Sequence, residues 1–207
     1  MLKRNALSAV LLTVLALALV AAPAGAQSGS ASRDKIEQPD KVMEATGVKP
    51  GMVIGEIGAG HGYFTFWLAK GVGESGKVYA NDIDASALAA IERRRAAENV
   101  ANIETILGTV DDPLFPAGSL DMVFIVNAFH DLARPVELLA SLRPALKPGA
   151  TVVVMDRDPA RFSDSHGHFL SREKVEEIIG RSVFELVRVE TFLRDHNLYI
   201  LRPKPAA

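Results

Sequence analysis

The run Met52-Val53-Ile54-Gly55-Glu56-Ile57 leads directly into glycines at 58, 60 and 62. A short apolar run that ends on glycine reads as a buried strand. Three alternate glycines permit a tight turn and a close backbone approach to a ligand. Residues 63–70 then read as a helix, whose free N–H groups and positive dipole end favour an anionic group. The same alternation continues along the chain. Strands are expected at 77–81, 103–107, 120–126 and 151–155, and helices at 41–46 and 86–97, the latter capped by Asp84. Leu138, Leu142 and Leu146 share one helical face, with Pro144 expected to bend that helix or end it early. Ser171 is expected to cap a last helix, and residues 184–191 and 197–201 to form a closing hairpin. Strand alternating with helix implies an α/β architecture, a parallel sheet with helices on both faces. Seven strands are expected, mostly parallel, with the C-terminal hairpin antiparallel.

The N-terminus belongs to another category. Lys3 and Arg4 precede an apolar run from 6 to 22, and Pro23 is followed by Ala24-Gly25-Ala26. This is the order of a secretory signal, with cleavage expected after Ala26. The reading is residues 1–26 as signal, 27–33 as a Ser/Gly/Ala linker, and 34–203 as one domain. The protein is then exported to the periplasm or beyond. The alternative is an anchor in the inner membrane, for which the run is slightly short. Losing Lys3 and Arg4 moves the formal charge from −2 to about −4, which does not suit a nucleic-acid partner. No cysteine is present, so thiolate metal sites and a cysteine nucleophile are excluded.

In an open parallel sheet, ligands bind beyond the carboxyl ends of the strands, where strand order reverses. Chemistry is therefore expected just after each strand. The glycine spacing discriminates between ligands: a dinucleotide loop places its third glycine at 63, and this chain has Tyr63. Asp82 closes strand two, where a carboxylate accepts the two hydroxyls of a ribose. Asp84, two residues on, is the second choice for that role and is otherwise expected to cap the next helix.

Residues 53–63 and 77–84 together resemble class I S-adenosylmethionine-dependent methyltransferases, which carry G-x-G-x-G with an acid two residues before it. The likeness continues through Leu107–Pro113, Phe115–Val123 and Leu146–Ala150. Pro39-Asp40-Lys41-Val42 and Gly62-Tyr63-Phe64-Thr65 are similar to a group of exported bacterial methyltransferases with no assigned substrate. The resemblance implies a Rossmann-like, doubly wound fold and S-adenosylmethionine as cofactor. By the same resemblance Glu56 orients the loop or reaches the methionine amino group. Gly58, Ala59, Gly60, Gly62 and Tyr63 cradle the cofactor, Asp82 and Ile83 hold the nucleoside, and Asn127 lies near the methionine part. The family often has an acid directly after the glycine that follows strand three; here that position is Thr109, and Asp111 is the nearest substitute for the adenine contact.

For the reaction itself, His130 after strand four is the candidate base, and Asp156 or Asp158 after strand five the candidate group facing an acceptor. The bland readings are a loop pair with Asp131 as helix cap and a charged surface loop. His166 and His168, two apart in a Ser/Gly-rich loop, offer two imidazoles and no evident third ligand. No metal is therefore expected, and chelators are expected to leave activity unchanged. Three functions fit these residues. One is methyl transfer to an unidentified acceptor, a small molecule in the first instance. The others are a non-catalytic module binding the same cofactor and, less well supported, a nicotinamide oxidoreductase.

Overall fold

The computed structural model describes residues 24–162 and 167–205. Seven strands, β1 (Val53–Ile57), β2 (Lys77–Asp82), β3 (Ile103–Leu107), β4 (Leu120–Val126), β5 (Leu146–Arg157), β6 (Phe184–Glu190) and β7 (His196–Pro203), make one sheet. The helices are α1 (Ala24–Glu37), α2 (Pro39–Thr46), α3 (Tyr63–Val72), α4 (Ala85–Ala97), α5 (Pro135–Leu142) and α6 (Arg172–Arg181). Strand order is β3-β2-β1-β4-β5-β7-β6. The first five strands run parallel, and β7 lies antiparallel to both β5 and β6. This is the Rossmann-like sheet expected. β1 pairs β2 on one side and β4 on the other, so strand order reverses there and the crevice of such a sheet opens beside the glycine loop.

Two apolar layers cover the sheet. One joins Phe64, Leu68 and Ile91 of α3 and α4 to Ile54, Phe124 and Met155. The other joins Leu138, Leu142, Val175 and Ile178 of α5 and α6 to Val123, Ile125 and Val154. Alternate residues of β4 thus point to opposite layers, as the pleat requires. Phe124 and Ile125 are wholly buried, and each such side chain contributes about 1.5–3 kcal/mol relative to exposure.

Local signals act where they were expected. Gly47 ends α2 in the left-handed region, its N–H bonding Met43 and Glu44 carbonyls. Asp84 caps α4 by accepting from the Ser86 N–H at 2.7 Å, and Ser171 caps α6. α5 stops at Leu142 and a 3-10 turn carries the chain past Pro144. Two differences stand out. β5 starts at Leu146, so Lys147-Pro148-Gly149 lies inside the strand span rather than before it. Leu146 pairs Leu120 and Thr151 pairs Met122, so residues 147–150 bulge out opposite Asp121. That bulge is pinned by Lys147 Nζ donating to both Asp121 oxygens at 2.9 Å. Residues 27–33, read as a linker, lie within α1; small residues do not forbid a helix whose later turns pack through Arg33 and Glu37. Residues 1–23, which hold most of the expected signal, are outside the described residues. Among the described residues no helix is long and apolar enough to cross a membrane.

Candidate functional site

The glycine loop takes the shape its composition allows. Gly58, Gly60 and Gly62 have φ of 71°, 53° and 84°, a region L side chains enter at a cost. A Cβ on Gly58 would stand 2.5 Å from the Ala128 Cβ, so β1's end and β4's end approach as closely as backbone permits. Asp82 accepts from the Gly60 N–H at 2.8 Å through Oδ2 and from the Asp84 N–H at 3.0 Å through Oδ1. The carboxylate therefore fixes the loop before any ligand binds, and retains lone pairs for hydroxyl donors.

Beside this carboxylate lies a cleft of about 340 Å³, lined in part by Gly58, Asp82, Ile83, Val110, Asn127 and Leu132. Ile83 is 61% exposed and Val110 43%. Large apolar side chains left uncovered at a cleft suit a flat apolar ring between them. Asp82 for hydroxyls, Ile83 and Val110 for a base, and the positive N-terminal end of α3 for an acid fit an adenosine carrying an amino-acid tail.

Beneath the loop, Glu56 is 2% exposed and accepts from the Thr65 hydroxyl at 2.5 Å. Burial pushes its pKa up to about 8, with Asp82 and Glu37 adding to the rise and Thr65 and Arg33 opposing it. Helix α1 is strapped over this corner. Arg33 stacks on the Tyr63 ring at 3.8 Å, and the Tyr63 hydroxyl donates to Asp34 at 2.6 Å. Burial and that bond raise the Tyr63 pKa above its ordinary value. Glu37 is buried, pairs with Arg33 at 2.7 Å and accepts from Asn127 Nδ2 at 3.0 Å. Burial raises its pKa as well, and its Oε2 has no hydrogen-bond partner among the described residues. Asn127 has φ 51°, and its N–H donates to the Met155 carbonyl. Its Oδ1 lies 2.9 Å from His196 Nε2. Burial lowers the His196 pKa to about 4, so the neutral ring donates Nε2–H to Asn127.

The structure thus gathers Gly58, Asp82, Ile83 and Asn127 at one cleft and sets Ala59, Gly60, Gly62, Tyr63 and Glu56 in the loop and its support. It does not bring Asp111 there. The Asp111 carboxylate accepts from Thr109 and Arg134, each at 3.1 Å, and Thr109 and Val110 line the cleft instead. Nor do His130 and Asp156 line it. Asp156, 3% exposed, accepts from the His130 N–H at 3.0 Å and holds His130 Nδ1 at 2.8 Å, so it positions the ring rather than facing an acceptor. Asp158 accepts from Asn197 and pairs with Arg161. Asp131 does not cap α5; it lies in a 3-10 turn at the cleft, and Arg134 holds the cap position. His166 is outside the described residues. His168 meets His130 and Asp131, with ligand atoms of all three within 4.8 Å of one another, a grouping different from the His166–His168 pair that the sequence offered. Residue spacing hid this because 37 positions separate the two sides of the cluster. Glu37 and His196 were also missed, since each sits in an ordinary helix or strand and carries no local signal.

A family model described as a methyltransferase domain matches residues 54–149. The chain is 28% identical over 115 residues to a ubiquinone/menaquinone biosynthesis C-methyltransferase of Shewanella pealeana, covering 55% of this chain and 46% of that protein. It is 24% identical over 157 residues to a demethylmenaquinone methyltransferase of Bacillus velezensis, covering 75% of this chain and 67% of that one. The chain spans less than half the length of the first curated relatives it matches. Among solved structures, a SAM dependent methyltransferase from Aquifex aeolicus aligns with a TM-score of 0.76 and 26% identity, covering 82% of this chain and 92% of that one.

Proposed function

We propose, from a Rossmann-like methyltransferase fold with a methyltransferase-domain match over residues 54–149, that this chain is an S-adenosylmethionine-dependent methyltransferase acting on a small-molecule acceptor. One observation carries the reading: at the reversal of strand order, Asp82 holds the Gly60 N–H beside a cleft with uncovered Ile83 and Val110. Bound S-adenosylmethionine supplies a methyl group already activated on sulfur. The chain's task is then to hold the donor and bring an acceptor into line, which supplies much of the acceleration by itself. Asp82 accepts the ribose hydroxyls. Ile83 and Val110 flank the base. The N-terminal end of α3 and the ends of β1 and β4 face the amino-acid end, and Glu56 sits behind the loop as a buried carboxyl group. Helix α1, tied down through Arg33, Asp34 and Glu37, keeps water from that end. The segment 1–26 acts as an export signal in this proposal, and the mature chain works outside the cytoplasm.

Calorimetric titration with S-adenosylmethionine and, separately, with NAD tests the cofactor. Saturable binding of the first and none of the second is expected; the reverse would sink the proposal. Transfer of labelled methyl to candidate acceptors then separates an enzyme from a binding module.

A further inference from the structure

We propose that His130, Asp131 and His168 form a binding site for one divalent transition-metal ion at the rim of the cleft. The cluster joins the turn after β4 to the segment that leads from β5 into α6. His130 Nε2 lies 3.4 Å from Asp131 Oδ2, and His168 Nε2 lies 3.6 Å from Asp131 Oδ1. The two imidazole rings meet edge to face, with centroids 4.7 Å apart. A zinc-like ion holds N and O donors at about 2.0–2.2 Å, which spaces neighbouring tetrahedral donor atoms by roughly 3.4 Å. Both histidine nitrogens lie near that spacing from one or other oxygen of the same carboxylate, and one donor atom from each residue lies within 4.8 Å of the others, so small side-chain rotations bring the three to one ion.

The support behind the first ligand points the same way. His130 Nδ1 lies 2.8 Å from Asp156 Oδ1. Asp156 is itself fixed, accepting from the N–H groups of His130 and Arg157 at 3.0 and 2.9 Å. A carboxylate on the far nitrogen of a histidine sets the tautomer that turns the Nε2 lone pair to a metal and makes it a better donor. The His130 side chain is 5% exposed, whereas Asp131 and His168 are 62% and 54% exposed, so one ligand is anchored and an ion has access from solvent.

Two imidazoles and one carboxylate favour zinc and its first-row neighbours over Mg²⁺, which prefers an all-oxygen shell. Three protein ligands leave a coordination position open, and Asp131 is itself a cleft-lining residue. The ion ties His168 to the cleft rim. With Nε2 coordinated, His130 is a ligand and not a base.

The test is calorimetric titration of the untagged, chelator-stripped full chain with Zn²⁺ alone, with Mg²⁺ as comparison. One equivalent of Zn²⁺ is expected to bind, and Mg²⁺ far more weakly. His168→Ala and Asp131→Ala should each weaken Zn²⁺ about tenfold or more, and Asp156→Asn about 10–100-fold, as loss of an outer partner does. His61→Ala should leave binding unchanged. His168 is exposed, so an unaltered thermal midpoint for His168→Ala shows that folding is intact. Absence of saturable Zn²⁺ binding, or binding that persists in both His168→Ala and Asp131→Ala, would overturn the site; the cluster would then be an ion-pair network. The readout is metal binding, so its failure is distinct from failure of methyl transfer.

Discussion

Asp82 already accepts two backbone N–H groups, and a ligand's hydroxyls would complete its shell. Replacing it by alanine strips the ribose of a charged partner, and such bonds contribute about 1.5–3 kcal/mol each. S-adenosylmethionine affinity should fall about tenfold or more in Asp82→Ala. Asp84→Ala removes only the α4 cap; the thermal midpoint should drop with affinity nearly unchanged. Calorimetry and melting curves on the pair check this, and normal binding by Asp82→Ala would refute the ribose assignment. Glu56 makes a second residue-scale prediction. Its pKa is about 8 in the folded chain, against an ordinary 4.5. The folded state therefore keeps a proton that the unfolded chain releases between those values. The stability this contributes is complete below pH 4.5 and is lost as pH rises through 8, at no more than about 1.4 kcal/mol per pH unit. Glu56→Gln cannot ionise, so its stability relative to wild type should climb across that window. Parallel pH dependences in denaturant titrations would show that Glu56 is not held protonated.

At the scale of elements, the strand–loop–helix unit depends on where a side chain has room. Gly58 has none, because a Cβ there would meet the Ala128 Cβ at 2.5 Å, whereas one on Gly60 would meet no described atom within 4 Å. Both need positive φ, which costs about 1–2 kcal/mol for alanine. Gly60→Ala should show that cost alone in its unfolding free energy. Gly58→Ala should lose more stability and most cofactor binding, because β1's end must move away from β4's. Equal losses in the two variants would contradict the close approach. This unit was legible in the sequence because its requirements are local: glycine spacing, an apolar strand, a cap at Asp84. The bulge at 147–150 was not, since it is held by Lys147 and Asp121, 26 residues apart. The same limit explains Asp111. It lies after β3, where the resemblance placed an adenine contact, but its carboxylate pairs with Arg134 from another loop.

Across the whole molecule, the order of strands and helices was readable from periodicity, while the polar cluster joining Glu37, Asn127 and His196 was not. Its members come from the first helix, the middle strand's end and the last strand, and no pattern along the chain links them. The export reading makes its own prediction: mass spectrometry of protein from its native compartment should find Gln27 at the mature N-terminus. Met1 on membrane-bound protein would favour the anchor instead. The placement of β7 has a consequence for timing. This last strand lies between β5 and β6 and carries the His196 that holds Asn127. During synthesis the glycine loop, Asp82 and the parallel strands leave the ribosome first. Yet β6 has no neighbour, and β5 one open edge, until residues 196–203 arrive. A nascent chain stalled before them would expose both edges of β6 and one edge of β5, the form most prone to wrong pairing. Residues 196–203 thus work as a latch: the sheet closes, and His196 reaches Asn127, only when this strand is in place.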